Sequence, residues 1–574
     1  MKNPRYLQRT LLSLFLAGSG HALAASGSFS TFTYNVAGLP EILSSATSSR
    51  QAATEQISCY IRQFDVVNVQ EDFNYHAALY DSCDDHAYRS PTSGGAGIGS
   101  GLNTLSRFPY MDWERVKWAQ ANGVDVLTPK GFTLARTRLA EGVYVDIYNL
   151  HTQAQTEPAD LDARRKDILQ LLAFIEANSA GHAVIVMGDT NTRYTRDGDN
   201  MGQFLRHGFR DVWVDQVRGG DVPAPGAAAM VCDPAVTSPT CEVVDKVLFR
   251  DNGFVGLSAL SYLVPTDMQN AAGEELSDHR GIRVGWSYAT RADRRLSDPV
   301  GGPHGAAFND VSLLPVSPSV GKVSLRSGSR IDRVEVTLSN GHILSHGGSG
   351  GSESSLTLGS NEYLTALTAC TGVYNGNTRL YYARFTTSSG RTLSGGGSTS
   401  SCTTFTAPAG WQITGFHGRS GDEVDKLGVV YAPQVTKTVP VSWVQIVNRN
   451  SGQCLDINNG AMAAGTNVQQ WSCNGGSWQK WHYDAATGLV RSQKDPRYCL
   501  DNSGSYDNGA NLMIWPCTGN ANQRFSYDSA SGRLGMRSYP VQALDVVNQS
   551  TAAGANVQTW AWWGGPGQQW NLTP

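Results

Sequence analysis

The sequence lacks the features of a membrane-spanning protein and of a general polyanion binder. Its 574 residues carry 45 Lys and Arg against 49 Asp and Glu, so the net charge is only −4. Binders of polyanions usually carry a clear excess of positive charge, which this chain does not have. No apolar run reaches the roughly 20 residues that a transmembrane helix needs. We therefore expect a soluble protein without a transmembrane segment.

The first 25 residues have the three parts of a secretory signal peptide. Lys2, Arg5 and Arg9 form the charged end, residues 11–17 the short apolar region, and residues 22–24 the small-residue cleavage site. We expect residues 1–25 to be removed and the mature protein to be secreted into the extracellular space.

The ten cysteines also lack the C-x-x-C spacing of a structural zinc site. Structural disulfides are the better interpretation in an exported chain. The cysteines fall into near neighbours along the sequence, which predicts five local bridges. These are Cys59–Cys83, Cys232–Cys241, Cys370–Cys402, Cys454–Cys473 and Cys499–Cys517.

Composition divides the remaining chain into three parts. Residues 26–290 alternate strand-like apolar runs with helical patterns, which predicts an α/β domain. Residues 299–433 are rich in Gly, Ser and Thr, and residues 441–574 hold a threefold repeat of about 45 residues. Both predict all-β domains. Residues 291–298 and 434–440 are expected to be linkers.

The stretch 184–191 is the centre of the first domain. Its apolar run ends in a glycine that brings Asp189 and Asn191 to the carboxyl edge of a buried strand. Gly-Asp-x-Asn is also ordinary turn chemistry, so alone it is a weak signal. Polar groups end other predicted strands in the same way, and six such sites are hard to explain as turns. In chain order they are Asn35, Glu71, His151, Asp189 with Asn191, Asp245, and 277–279.

This order of residues resembles the endonuclease/exonuclease/phosphatase superfamily with the DNase-I-like fold. The resemblance covers residues 27–290 and implies a four-layer α/β sandwich that cleaves phosphoester bonds with Mg²⁺, Mn²⁺ being the alternative ion. Glu71 with Asn35 nearby supplies the hard oxygen ligands that Mg²⁺ prefers, and Asp278 adds a further metal contact.

The resemblance also implies a role for each remaining residue of the set. His279 takes the proton from the attacking water, and Asp245 orients its imidazole. Asp189 and Asn191 position the water and the phosphate. His151 donates a hydrogen bond to the developing charge.

Two further stretches favour the sphingomyelinase branch of this superfamily. Residues 125–132 resemble the Asp-x4-Lys-Gly segment of neutral and bacterial sphingomyelinases, with Lys130 expected to neutralise a phosphate oxygen, and residues 149–154 are similar to their His-x-Gln-Ala. Residues 27–290 hold 21 Lys and Arg against 32 Asp and Glu, whereas DNA binding draws on cationic surface. An extracellular DNase-I-like endonuclease stays the alternative, and the complete six-site set speaks against a non-enzymatic lectin.

Residues 299–433 resemble the jacalin-related lectins, which implies a β-prism. The matching stretches are 301–305, 325–328 and 415–425. The family binds sugar with a Gly-x-x-x-Asp loop, matched by residues 421–425, and with an early glycine loop. The candidate carbohydrate-binding residues are Gly302, Gly421, Asp422 and Asp425.

Residues 441–574 resemble the ricin-B-type β-trefoil lectins. Each repeat contains Leu-Asp, then a Trp, then a Gln-x-aromatic ending that we interpret as core. The repeats differ, because Met513 replaces a Gln in the second and Trp562 stands where the third would have its Cys. The candidate carbohydrate-binding residues are Asp456, Gln469 and Trp471, then Asp501, Trp515 and Asn522, then Asp545, Gln558 and Trp560.

These parts together predict a secreted, Mg²⁺-dependent phosphodiesterase, most simply a sphingomyelinase-like phospholipase C that releases a phosphorylated headgroup from a membrane lipid. The expected partners are a phospholipid at a membrane surface and glycans bound through both lectin domains, with nucleic acid less favoured. Two sugar-binding modules could replace a membrane anchor, because a second weak contact becomes intramolecular once the first has formed.

Overall fold

The structure is a computed structural model that describes residues 24–94, 99–230, 232, 241–435 and 442–574. Nearly all of the predicted signal peptide and most of the predicted second linker lie outside the described residues. Within the described part, no helix is long and apolar enough to cross a membrane.

The first domain alternates strands and helices. Its strands are β1 (Ser26–Asn35), β2 (Val66–Gln70), β3 (Tyr88–Arg89), β4 (Asn103–Ser106), β5 (Tyr110–Lys117), β6 (Gly131–Ala140), β7 (Val143–His151), β8 (Ala183–Asp189), β9 (Arg210–Asp211), β10 (Asp245–Arg250), β11 (Val255–Leu263) and β12 (Ile282–Thr290). Its helices are α1 (Arg50–Ile61), α2 (His76–Asp81), α3 (Pro158–Asn178), α4 (Met201–Arg206) and α5 (Val212–Val217), and Gly123–Leu127 forms a 3₁₀ turn.

These strands form two six-stranded sheets, ordered β11-β12-β1-β2-β4-β3 and β5-β6-β7-β8-β10-β9. The inner faces pack on each other through residues such as Trp286 and Ile185. Helix α1 covers the outer face of one sheet, and the apolar stripe of α3 covers the other. The predicted four-layer α/β sandwich is therefore confirmed.

Buried amides join the two sheets near the edge where the predicted site residues lie. The Asn68 side chain donates to the Tyr148 carbonyl at 3.1 Å, and the Asn149 side chain donates to the Val69 carbonyl at 2.9 Å. Gln70 donates to the Asn149 side-chain oxygen at 2.7 Å. Because buried amides are costly unless they are paired, these bonds fix how the sheets meet.

The second domain consists of three sheets, as the predicted β-prism requires. Their strands are β13 (Arg295–Leu296), β14 (Val300–Gly301), β15 (Ala306–Asn309), β16 (Val320–Ser327), β17 (Ile331–Leu338), β18 (Ile343–Gly347), β19 (Ser352–Thr357), β20 (Leu364–Tyr374), β21 (Asn377–Thr387), β22 (Thr392–Gly396), β23 (Ser401–Thr406), β24 (Trp411–Ser420) and β25 (Val424–Pro433). The sheets are β13-β25-β24-β15 with β14 also on β25, β18-β17-β16-β19, and β22-β21-β20-β23.

The third domain repeats one short-stranded unit three times. Its strands are β26 (Val444–Asn448), β27 (Cys454–Ile457), β28 (Thr466–Trp471), β29 (Lys480–Tyr483), β30 (Val490–Ser492), β31 (Tyr498–Asp501), β32 (Ala510–Asn511), β33 (Met513–Pro516), β34 (Phe525–Asp528), β35 (Arg533–Met536), β36 (Gln542–Val546), β37 (Val557–Ala561) and β38 (Trp570–Thr573). One asparagine from each repeat donates to the next in a closed ring of 2.8–2.9 Å bonds, formed by Asn467, Asn511 and Asn556. This ring supports the threefold repeat read from the sequence.

All five predicted disulfides are present, and each closes within one domain. The predicted first linker differs from the expectation, because residues 291–298 are built into the fold. Strand β13 lies within this segment and pairs with β25. Asp298 accepts hydrogen bonds from Arg138 and Tyr144 of the first domain at 3.0 and 2.5 Å. The segment is therefore part of an interface.

A buried ion network seats the second domain on the first. Asp112 accepts a 2.7 Å hydrogen bond from Arg136, which also donates to Asp146 at 2.9 Å. From the second domain, Lys426 pairs with the same Asp112, and Arg419 lies 3.8 Å from it. These five side chains are at most 9% exposed. Such a network resists separation, because removing one partner leaves buried charge unpaired.

Candidate active site and lectin sites

Strand ends position the candidate catalytic residues. In the parallel pair β1–β2, Asn35 lies opposite Gln70, so Glu71 follows at the same edge. In the parallel pair β7–β8, His151 lies opposite Asp189. Strand β10 runs antiparallel to β8 and begins with Asp245 opposite Asp189. One edge of the sandwich therefore gathers polar groups from both sheets.

Asp189 is the centre of this cluster and is almost fully buried. Its Oδ2 lies 3.2 Å from His151 Nε2, 3.2 Å from Asn35 Nδ2 and 3.6 Å from His279 Nε2. Its Oδ1 accepts a 2.9 Å hydrogen bond from the backbone of Asn191. The structure thus brings the two predicted histidines onto one carboxylate.

His279 is held between two aspartates. Its Nδ1 lies 3.0 Å from Asp245 Oδ2, which leaves Nε2 directed toward Asp189. Burial would lower the pKa of His279, but Asp245 and Asp189 stabilise the imidazolium and raise that pKa well above its usual value. Burial would raise the pKa of Asp189, yet His279 and His151 outweigh burial and hold it well below its usual range. The two aspartates therefore favour the protonated form of His279.

The predicted metal ligands are only partly brought together. Asn35 Nδ2 donates to Glu71 Oε1 at 3.0 Å, so the two side chains touch. The Asn35 Oδ1, which a metal would require, accepts from the backbone of Ala37 at 3.0 Å. Asp278 is exposed, and its carboxylate contacts its neighbour Ser277 at 3.4 Å. The structure therefore gives Asp278 no contact with the other two proposed ligands.

The donor set at this edge fits Mg²⁺. The Glu71 side chain is 21% exposed and offers a carboxylate, and its backbone φ of 57° is a left-handed conformation that ends the strand geometry of β2. Hard carboxylate and amide oxygens suit this ion. A second compact group, formed by Asp189, Asp245 and His279, also has one potential ligand atom each within 4.8 Å. Because Asp245 already engages His279 Nδ1, proton transfer explains that group better.

The hydrogen bonds and ion pairs of Lys130 and Gln153 are made with residues around the cluster and not with the Asp189 carboxylate itself. The Lys130 ammonium is buried and lies 2.9 Å from Asp125, and Asp125 accepts from the backbone of Ala154 at 2.7 Å. Gln153 donates to Asp160 at 3.1 Å. The segment predicted to meet phosphate therefore braces the loop that follows His151.

Two residues that brace this loop were not singled out from the sequence. Asp167 accepts from the backbone of Gln153 at 3.0 Å, and burial raises the pKa of Asp167 to about 7. The Trp118 indole donates to the His151 carbonyl at 2.6 Å. Asp167 sits on the buried face of α3, where a charge breaks the apolar pattern, and that break was the available signal.

The three trefoil sites share one arrangement, in which side-chain amides hold the aspartate. Asp456 accepts from Gln469 at 3.1 Å, Asp501 from Asn522 at 2.9 Å, and Asp545 from Gln558 at 2.9 Å. The Trp beside each site is 39–43% exposed, the three being Trp471, Trp515 and Trp560. Each site thus offers an aromatic face and a carboxylate, which suits a sugar ring. The Gln-x-aromatic endings are buried, as expected.

The predicted site of the second domain is arranged differently. Asp425 is fully buried, and Arg379 pairs with its carboxylate. The neighbouring Glu423 accepts a 2.8 Å hydrogen bond from Arg330. The backbone N–H of Gly302 donates to the Asp425 carbonyl at 2.8 Å, so the two predicted loops do meet. Gly421 donates to the Glu423 carbonyl at 2.9 Å, and Asp422 is exposed.

Comparison with known proteins covers all three domains. The Endonuclease/Exonuclease/phosphatase family matches residues 32–279, the Jacalin-like lectin domain residues 297–430, and the Ricin-type beta-trefoil lectin domain residues 442–570. Sphingomyelinases of Mycobacterium bovis and Mycobacterium tuberculosis are each 38% identical over 271 residues, which is 46% of this chain and 53% of theirs. The chain therefore spans about half the length of the curated relatives it matches.

A solved structure of sphingomyelinase C from Streptomyces griseocarneus is 20% identical, covers 45% of this chain and 99% of that chain, and has a TM-score of 0.34. By the three family matches alone, the chain joins a domain of the endonuclease/exonuclease/phosphatase family to a jacalin-like lectin domain and a ricin-type β-trefoil lectin domain.

Proposed function

We propose that this protein is a secreted, Mg²⁺-dependent phosphodiesterase of the sphingomyelinase type, carried to its substrate by glycan binding. Residues 26–290 are its proposed catalytic domain, residues 299–433 and 441–574 its lectin domains. The observation that carries the proposal is the meeting of His279, Asp245, His151 and Asp189 beside Glu71 at one sheet edge. The 38% identity to sphingomyelinases supports a lipid phosphodiester over DNA.

In this proposal, His279 is the proton acceptor. Asp245 holds the imidazole by its Nδ1, so in the neutral ring the lone pair lies on Nε2, 3.6 Å from Asp189, and that nitrogen would take the proton from an attacking water. The imidazolium that forms is stabilised by both Asp245 and Asp189. His151, held by Asp189, can donate to an oxygen of the phosphate as charge develops there.

Glu71 would hold Mg²⁺ at the partly exposed side of the edge, and Asn35, whose side chain contacts the Glu71 carboxylate, is the proposed second ligand. When bound, this ion neutralises charge on the phosphodiester and polarises the phosphorus. Asn191 is set by its hydrogen bond to Asp189, and its side chain donates to the Thr152 carbonyl at 3.3 Å, so it borders the same space.

One comparison tests the proposal: phosphocholine release from sphingomyelin against nicking of supercoiled plasmid, both with Mg²⁺ and with EDTA. We expect phosphocholine release that needs Mg²⁺, and little nicking. His279→Ala should lower the release about 10²-fold or more, as the loss of a general base does. His482→Ala, a histidine of the trefoil domain, is the matched control and should leave the rate unchanged. Efficient nicking, or near-wild-type release by His279→Ala, would contradict the proposal.

A further inference from the structure

Two connections leave the sandwich at the edge that carries the catalytic residues, and both end in exposed apolar side chains. The first joins β1 to α1 and follows Asn35 directly. The second joins β5 to β6, where Lys117 pairs with Gly131 and the next residue, Phe132, lies opposite Leu150. Strand β7 ends one residue after Leu150, at His151. The register therefore puts the second connection beside the end of β7.

The β1–α1 connection carries an apolar tip. Ile42 is 91% exposed and Leu43 is 66% exposed, in a turn closed by the Leu43 N–H on the Pro40 carbonyl at 2.7 Å. The only charged residue of this turn, Glu41, is exposed, and its carboxylate accepts from Ser49 and from the Arg50 backbone at 3.0–3.1 Å. The tip therefore presents two large aliphatic side chains, and the one nearby carboxylate is hydrogen-bonded to the start of α1.

This tip is tied to the catalytic residues by short hydrogen bonds. The backbone of Ala37 donates to Asn35 Oδ1 at 3.0 Å, and the backbone of Gly38 donates to the Glu71 carbonyl at 2.9 Å. Ser44 donates back to the Ala37 carbonyl at 3.4 Å. The apolar tip and the proposed metal ligands thus belong to one braced segment.

The β5–β6 connection repeats this arrangement on the other sheet. Val126 is 58% exposed, while its neighbour Asp125 is buried with Lys130. The backbone of Asn122 donates to the Gln153 side chain at 2.8 Å, which ties the connection to the loop after His151. A third connection at this edge, residues 264–281, has a polar tip instead, with Glu274 exposed and Asn270 and Glu275 half-buried.

We infer that Ile42, Leu43 and Val126 insert into the surface of a lipid bilayer and set the catalytic edge against the headgroups. This inference rests on the proposed lipid substrate. An exposed isoleucine and leucine gain nothing in water, whereas burial of one such side chain strengthens binding about ten-fold or more. Because both tips are braced to the site, insertion also orients the edge toward a headgroup phosphate.

The test is flotation with vesicles of phosphatidylcholine and sphingomyelin that carry no carbohydrate, so that the lectin domains have no ligand. All proteins carry His279→Ala, which keeps the vesicles intact. Ile42→Ser combined with Leu43→Ser should lower vesicle partitioning at least ten-fold, and Val126→Ser about three-fold. The control is Val316→Ser combined with Val541→Ser, two lectin-domain valines that are 62% and 52% exposed. Its partitioning should stay within two-fold of the parent.

Equal partitioning of the Ile42/Leu43 variant and the parent would overturn the inference, as would an equal loss in the valine control. Failure of the parent to bind these vesicles would overturn it as well. Release of phosphocholine by the protein with His279 intact is measured separately. Vesicle binding without any phosphocholine release would refute the proposed function while leaving the membrane contact standing.

Discussion

The two lectin domains carry the same kind of residue at their predicted sugar sites and treat it in opposite ways. In the trefoil, neutral side-chain amides donate to Asp456, Asp501 and Asp545, and the Trp of each site is exposed. In the jacalin-like domain, Asp425 is buried against the guanidinium of Arg379. A carboxylate already paired with an internal cation is a poor acceptor for sugar hydroxyls. The trefoil is therefore the better candidate for glycan attachment.

The domains also differ in how they meet the first domain. The jacalin-like domain is seated through buried charge, with Lys426 and Arg419 on Asp112. The trefoil meets it through neutral contacts, such as the Asn520 side chain donating to the Glu176 carbonyl at 3.0 Å and the His207 ring against Tyr506. Lys426 directly follows Asp425, so strand β25 carries both the predicted sugar-site aspartate that pairs with Arg379 and the lysine that contacts the first domain. The jacalin-like domain therefore has a structural role at this interface.

The largest expected effect comes from breaking the buried ion network around Asp112, which joins the jacalin-like domain to the first domain. Asp112→Ala leaves Arg136 and Lys426 buried without their shared partner, and we expect the free energy of unfolding to fall by about 3–5 kcal/mol. Urea denaturation followed by circular dichroism measures it. At the neutral contact between the trefoil and the first domain, Asn520→Ala should lower the free energy of unfolding by about 1 kcal/mol. Similar losses of unfolding free energy in the two variants would show that the two domain interfaces do not differ in this way.

Removal of the exposed trefoil rings should come next. We expect the triple variant Trp471→Ala, Trp515→Ala and Trp560→Ala to lose about 10²-fold in avidity on an array of neutral glycans, because three weak sites reinforce one another. Trp563→Ala is the matched control, since that ring is 58% exposed but lies outside the three sites. Full binding by the triple variant would move glycan attachment to another surface.

The closed jacalin-like site can be tested by removing its internal cation. In the triple Trp background, Arg379→Gln should raise glycan binding about ten-fold, because Asp425 is freed to accept sugar hydroxyls. Asp425→Ala should have little effect while Arg379 is present. Thermal unfolding of both variants checks that the fold is kept. A loss of binding with Asp425→Ala alone would show that the site is open in the native protein.

A smaller effect on stability is expected when the pH is lowered, because two buried histidines lie at the interface between the first and second domains. Burial lowers the pKa of His417 to about 4 and that of His182, which lies near it across the interface, to about 3. A histidine in the unfolded chain has a pKa near 6.5. Above that pH, keeping each buried imidazole neutral costs the folded protein nothing. As pH falls below 6.5 toward these lower pKa values, the unfolded chain gains protons that the folded protein cannot bind, so the free energy of unfolding falls. From pH 7 to 5.5 we expect a loss of about 1 kcal/mol per histidine, measured by urea denaturation. His417→Gln should remove the part of this pH-dependent loss that is due to His417. An unchanged pH dependence in that variant would contradict this assignment.

Local patterns predicted much of this molecule. The strand-end positions of Asn35, Glu71, His151 and Asp189, the five disulfides, and the α/β or all-β character of each domain follow from residues close together in the sequence. The three fold types came from the resemblance to known families. Contacts between distant segments could not be read in this way. Arg379 lies 46 positions from Asp425, and nothing near either residue signals that they pair.

The same limit explains two further differences. Residues 291–298 look like a linker by composition, yet their hydrogen bonds to Arg138 and Tyr144 arise only when the domains pack. The roles assigned to individual site residues, including the metal contact of Asp278, remain predictions. The exposure of Asp278 depends on how the loop before β12 folds, which the Ser-Asp-His motif does not specify.

The most direct test of a glycan-guided lipid phosphodiesterase is the rate of phosphocholine release from two sets of sphingomyelin vesicles. One set contains total erythrocyte glycolipids and the other contains none, at equal sphingomyelin and Mg²⁺. We predict at least ten-fold faster release from the glycolipid vesicles at low enzyme concentration, and equal rates on both sets for the triple Trp variant. Equal rates for the wild-type protein, or a preference that survives loss of the three Trp rings, would contradict the account.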